Sequence, residues 1–126
     1  MDKSIRVLVA NRPRLMRELV TISISAFSDI EVVGEVESEI DILEAVRKTH
    51  PDFLIVASDD SGRPPSFCDS IFRNHTDTKI LAITPDLESG ALYWANPSIH
   101  RSQIEASEDG ILRTLRGELE LPYRIQ

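Results

Sequence analysis

Apolar residues along this chain fall into two kinds of run, short blocks without alternation and longer stretches at helical spacing. Ile5 to Ala10 (Ile-Arg-Val-Leu-Val-Ala) is a block of the first kind, closed by Asn11-Arg12-Pro13, and predicts a strand. Pro13 suits the first turn of a helix, where its missing N–H costs nothing. Leu15, Leu19, Ile22 and Ala26 then recur at helical spacing, with Met16, Val20 and Phe27 widening the stripe. They predict a helix to about Phe27 with that stripe toward the core. Ile30 to Val36 is a second strand. Ser38 with Asp41 three residues on resembles a capping box, and Ile40, Leu43 and Val46 are the expected buried stripe of a helix ending near His50.

The block Phe53 to Ala57 is the centre of the pattern. Pro51 precludes a helix before it, and its apolar residues do not alternate, as in a strand buried on both faces of a parallel sheet. A polar turn from Ser58 to Pro65 follows, with Asp59 and Asp60 adjacent. Phe67, Cys68, Ile71 and Phe72 space out a short helix, and Lys79 to Ile83 is a further strand closed by Thr84-Pro85. Leu87 to Ala95 reads as a short helix broken by Asn96-Pro97-Ser98, and His100 to Glu105 as a poorly apolar edge strand. Ser107 caps a last helix carrying Ile111, Leu112 and Leu115, with Gly117 ending it. Residues 1–117 form the predicted domain, and 118–126 a tail or the start of a linker. Alternation of strand and helix with short connections implies right-handed crossovers. The expected fold is a single three-layer α/β/α domain around a doubly wound, five-stranded parallel sheet in the order 2-1-3-4-5. Its switch point lies between the first and third strands, so Asn11, Arg12 and Ala57 are expected to share one pocket.

Composition narrows the function. A net charge of -7 disfavours direct contact of this segment with nucleic acid, because phosphate contacts need a basic surface. Cys68 is the one cysteine, which excludes an internal disulfide and a cysteine-only zinc site. Neither a membrane helix nor a signal-peptide pattern is legible, and a cytoplasmic location is expected. His50, His75 and His100 fall at helix ends and in loops without ligands at metal spacing, so no metal and no cofactor are expected.

Ile5-Arg6-Val7-Leu8-Val9-Ala10, then Leu15-Met16-Arg17-Glu18, Ile30-Glu31-Val32-Val33-Gly34-Glu35, Pro51-Asp52 and Thr84 together resemble bacterial two-component response-regulator receiver domains, of the type that precedes a helix-turn-helix output domain. The resemblance covers most of the chain and is weakest between Pro85 and Glu105. It implies a receiver (flavodoxin-like) fold and a phosphorylation site of five groups. Two acidic residues after the first strand hold magnesium, and an aspartate ending the third strand accepts the phosphoryl group. A threonine or serine ends the fourth strand and a lysine the fifth. Here Asn11 and Arg12 stand at the acidic pair, Ala57 at the phosphoacceptor, and Ile104 or Glu105 near the lysine position, with no lysine after Lys79. Thr84 alone remains. Magnesium takes hard oxygen ligands, commonly carboxylates, and an alanine methyl has no nucleophile. A degenerate receiver, or pseudo-receiver, is expected, one that is not phosphorylatable at the usual site and is not an enzyme.

The remnant pocket is expected to hold Asn11, Arg12, Ala57, Ser58, Asp59 and Thr84. Arg12 is either solvated positive charge beside Arg14 and Arg17 or an internal counter-ion for Asp59 or Asp60, which otherwise read as turn formers. Thr84 hydrogen-bonds neighbouring backbone or acts as a latch for an occupied pocket. One of Tyr93 and Trp94 is expected in the core, the other on an interaction surface.

The leading functional expectation is a module of signal transduction and transcription regulation that associates with a protein partner or a C-terminal output domain, with a homodimer through Tyr93, Trp94 and the edge from His100 to Glu105. The alternative is a small-anion or metabolite sensor that uses Asn11, Arg12, Ser58 and Thr84. A phosphate-binding enzyme or flavin carrier is weaker, because Asn11-Arg12-Pro13-Arg14 has no glycine-rich loop.

Overall fold

Strands of this chain form where apolar blocks can be covered from both sides. The computed structural model describes residues 4–11, 14–58, 66–75, 77–84, 89–95 and 98–117. Its elements in order are β1 (Ile5–Ala10), α1 (Arg14–Ser25), β2 (Ile30–Glu35), α2 (Glu39–Thr49), β3 (Phe53–Ala57), α3 (Cys68–Asn74), β4 (Lys79–Ile83), β5 (Gly90–Ala95), β6 (Ile99–Ile104) and α4 (Glu108–Leu115). The tail expected at 118–126 lies outside the described residues.

The sheet order is β2-β1-β3-β4-β5-β6. The β1–β2, β1–β3 and β3–β4 pairs are parallel. The doubly wound, three-layer α/β/α arrangement and the expected order of the first four strands are therefore present. On one face, Val7, Val9, Ile55, Leu81, Leu92 and Trp94 pack with Met16, Val20 and Ile24 of α1 and with Ile111, Leu112 and Leu115 of α4. On the other, Leu8, Leu54, Val56, Ile80, Ala82 and Tyr93 pack with Ile42 and Val46 of α2 and with Cys68, Ile71 and Phe72 of α3.

Beyond β4 the sheet departs from expectation. The stretch predicted as a short helix is instead β5, antiparallel to β4 and to β6. The sheet thus has six strands and is mixed, not five and wholly parallel, and β6 runs parallel to β4 at the outer edge. The physical reason is two-sided burial. Leu92 and Trp94 enter one core and Ala91 and Tyr93 the other, which a period of two accomplishes and a helix in this position cannot. Aromatic residues also fit a pleated surface well.

Two helices are turned from the expected orientation, although Met16, Val20 and Val46 of the expected stripes are buried. In α1 the stripe Leu15, Leu19 and Ile22 faces outward, Ile22 at 68% exposure, while Met16, Val20 and Ile24 are buried. In α2, Ile40 is 78% exposed and Leu43 is also exposed, whereas Ile42 and Val46 are buried. In each case the helix is turned by about one or two residue positions, roughly 100° apiece. The caps are where they were expected. Ser38 Oγ accepts from Asp41 N at 3.2 Å, and Ser107 Oγ accepts from Gly110 N at 3.1 Å. Gly117 has φ of 76°, the left-handed conformation that glycine adopts freely after a helix. Arg116, at the end of α4, grips Asp29 with both oxygens at 2.9 and 3.1 Å, a hydrogen-bonded guanidinium that holds this carboxyl below its ordinary range.

Candidate functional site

The carboxyl ends of β1, β3 and β4 converge at one rim of the sheet, the usual place for chemistry in such folds. Strand β1 ends at Ala10, and Asn11, the next residue, is fully buried. Its Nδ2 donates to the Val56 carbonyl at 3.2 Å, so its side chain bridges the ends of β1 and β3. Its Oδ1 is buried without a hydrogen-bond partner among the described residues. Ala57 closes β3, in register with Ile83, and Ser58 N donates to the Ile83 carbonyl at 2.8 Å. Asn11 and Ala57 are thus brought to the same end of neighbouring strands, as the switch-point rule predicts. Arg12, Asp59 and Asp60 lie outside the described residues.

The cation that the structure does place here is Arg17, which sequence reading passed over in favour of Arg12. Arg17 is buried in α1 beside Met16, and its Nη1 donates to the Asn11 carbonyl at 3.3 Å. Its Nε lies 3.8 Å from Glu35 Oε1 at the end of β2. A helical arginine next to an apolar residue carries no sequence signal of burial. Only the docking of α1 over β1 and β2 distinguishes Arg17 from Arg14.

Thr84, at the end of β4, is buried and pairs with Ser89 at the start of β5. Its N and Oγ1 donate to the Ser89 carbonyl at 3.0 and 3.1 Å, and Ser89 N donates to Thr84 Oγ1 at 3.2 Å. This is the backbone-bonding role expected as one of its two readings. Ser58 and Thr84 line a polar cavity of about 120 Å³ together with Ser89, Gly90, Ala91, Tyr93, Arg101 and Gln103. Asn11 is not among its walls. The pocket expected from Asn11, Ser58 and Thr84 is therefore divided: Asn11 is packed between β1 and β3, while Ser58 and Thr84 open toward the β5–β6 hairpin. Arg101, Gln103 and Ser89 were missed because Leu87 to Ala95 was read as a helix, so the pairing of β5 with the expected edge strand at His100 to Glu105 was not seen.

Tyr93 and Trp94 are each 3% exposed and sit on opposite faces of β5. The expectation that one of them is left for an interaction surface is not met, because the strand is covered on both sides. Trp94 stacks on His100 at 5.3 Å and 17°. Arg101 Nε donates to Tyr93 Oη at 3.2 Å, with the guanidinium carbon 5.9 Å from the ring centre. Burial, with a contribution from Asp69, pushes the Cys68 thiol up to about 12, so it packs as a small apolar group and is not a nucleophile. Among the described residues no group of three or more His, Cys, Asp or Glu could hold a metal ion, and no helix is long and apolar enough to cross a membrane.

No family model and no curated protein matches the chain. Among solved structures it is similar to the signal receiver domain of the putative response regulator NarL from Mycobacterium tuberculosis. The identity is 24% and the TM-score 0.57, over 65% of this chain and 67% of that one. At that identity the likeness establishes the fold, which is that of a receiver domain.

Proposed function

We propose that this chain is a pseudo-receiver, a cytoplasmic regulatory module that works in signal transduction by protein association and is not switched by phosphorylation. The observation that carries the reading is Ala57: a methyl group closes β3 where receiver chemistry requires a carboxylate. Asn11 supports it, since its amide is committed to the Val56 carbonyl. The sequence also has no lysine after Lys79 to answer a phosphoryl group at the far end of the sheet. The partner is another protein or an output domain on the same polypeptide, with transcription regulation the favoured outlet. Incubation with acetyl phosphate and magnesium is expected to leave the intact mass unchanged. A gain of one phosphoryl group, wherever it maps, would overturn the proposal.

Self-association through β6 belongs to the same reading. Among the described strands β6 pairs with β5 alone, and an unpaired edge is a template for another strand. A second copy adding antiparallel across a two-fold axis would satisfy both edges at once. Sedimentation at roughly tens of micromolar, where a weak dimer registers, is expected to show a dimer that Ile99→Lys dissociates. Ile99 is exposed on that strand, so the substitution leaves the core untouched. A wild-type monomer under those conditions would remove the interface.

A further inference from the structure

Six large apolar side chains are exposed among the described residues: Leu15, Leu19 and Ile22 of α1, Ile40 and Leu43 of α2, and Ile99 of β6. Single exposed apolar residues are ordinary, but contiguous ones mark contact surfaces. On α1 the three recur at i, i+4 and i+7, which aligns them as one ridge along the outer side of the helix. Met16, Val20 and Ile24 already fill the core side, so the ridge is a second apolar face, turned to solvent. On α2, Ile40 and Leu43 form one wall of a groove whose other wall is α3, with Ser70, Asn74 and His75. The groove is open and measures about 710 Å³, room for roughly twenty waters at about 30 Å³ each. One side chain cannot fill it, whereas a row of them can. A helical ridge of apolar anchors laid in such a groove is a recurring mode of protein recognition.

Charge selects the occupant. Along α1 the exposed charges run positive then negative, Arg14 first and Glu18 one turn later. Along α2 they run negative then positive, with Glu39 and Asp41 in the first turn and Arg47 and Lys48 in the last. Glu44 pairs with both Arg47 and Lys48, at 3.6 and 3.2 Å, which leaves an excess of positive charge at that end of the helix. Laid parallel to α2, the α1 of a second molecule brings Arg14 to the acidic turn and Glu18 to the basic one. The apolar spacings agree as well: Leu15 to Leu19 rises about 6 Å and Ile40 to Leu43 about 4.5 Å. Helix α1 packs on one face of the sheet and α2 and α3 on the other, so one molecule offers ridge and groove on opposite sides at once. We infer that the α1 ridge docks in the α2–α3 groove of a second copy of this chain. The contact joins unlike surfaces, and repeated from copy to copy it builds open chains, not closed pairs. Five apolar side chains make a small contact of the weak, transient class, with an expected dissociation constant of about 0.1–1 mM. It uses neither Ala57 nor the β6 edge, so it stands or falls separately from the function proposed above.

Sedimentation of the full chain carrying Ile99→Lys, which removes the β6 edge contact, tests it between roughly 0.05 and 1 mM. The weight-average mass is expected to rise with concentration without levelling off at a dimer. Ile22→Lys on the ridge and Ile40→Lys in the groove, both at exposed positions outside the core, are each expected to weaken association about tenfold or more. Mixed in equal amounts, the two variants are expected to form a one-to-one dimer and stop there. The Ile22→Lys copy retains its groove and the Ile40→Lys copy its ridge, so one contact remains possible. Three results would each overturn the inference. A monomer throughout would leave ridge and groove to other proteins. Undiminished association of either variant alone would show like faces pairing with each other. A mixture that stays monomeric would show that ridge and groove do not meet.

Discussion

Gly110→Ala is expected to lower unfolding stability by about 2 kcal/mol or more, although alanine in a helix ordinarily gains up to about 1 kcal/mol over glycine. Gly110 lies in the first turn of α4, where its N–H donates to the capping Ser107 Oγ and its carbonyl accepts from Thr114 Oγ1 at 2.8 Å. A Cβ built there would stand 2.0 Å from the Glu105 carbonyl oxygen and 2.9 Å from its carbon. Those are backbone atoms, so no side-chain rotation relieves the clash. Either the Glu105–Ala106 link or α4 itself must move. Ala106, Ile111 and Leu115 are all buried in the core beneath, so that movement opens packed contacts with α1 and the sheet. Overpacking against a fixed backbone outweighs the propensity gain. The urea midpoint should fall with an unchanged slope. A midpoint equal to or above wild type would show that the loop before α4 yields freely.

Arg17→Ala is expected to cost about 2–3 kcal/mol, while Arg14→Ala stays within about 0.5 kcal/mol of wild type. The two arginines are three residues apart on α1, yet their side chains are 11% and 77% exposed respectively. Arg14 makes a solvated i,i+4 pair with Glu18 at 2.8 Å, a type of contact worth little in water. Arg17 buries its stem and gives a charged hydrogen bond to the Asn11 carbonyl, at the turn that leads out of β1. Removing it leaves that buried carbonyl without its donor and opens a gap beside Met16. Arg17→Met, which keeps the stem, should recover part of the loss, and the remainder measures the polar contact. Similar effects of Arg17→Ala and Arg14→Ala on urea unfolding would show that the β1–α1 turn does not depend on this arginine. The expected lock by Arg12 on Asp59 falls outside the described residues. Among the described residues the buried cation at this rim is Arg17, and it secures backbone.

Much of the architecture was legible because single residues or short blocks specify it locally. Phe53 to Ala57 has no polar face, so it had to be a central strand. Ser38, Ser107 and Gly117 terminate helices through their own hydrogen bonds or φ, whatever packs nearby. Ala57 at the end of β3 is also a purely sequential fact, and it carries the functional proposal. The substitution of Asn11 for an acid was equally visible, but its bond to the Val56 carbonyl was not.

What the sequence alone could not decide is which of two compatible surfaces meets a neighbour. In α1, Leu15-Leu19-Ile22 and Met16-Val20-Ile24 are both helical ladders. The second is buried because it faces Val7, Val9 and Ile55 once β1 and β3 are paired. The stretch around Tyr93 and Trp94 satisfies a short helix or a strand equally well in isolation. It becomes a strand because β4 offers an open edge and both sheet faces already have cores to receive alternate side chains. That choice, made by non-local pairing, buries both aromatics and places Arg101 beside Tyr93, creating the cavity at the rim. Local chemistry thus determined where elements begin and end and which reactive groups are missing. Tertiary packing determined which faces are inside, because burial depends on the partner surface, and no residue carries its partner in its own sequence.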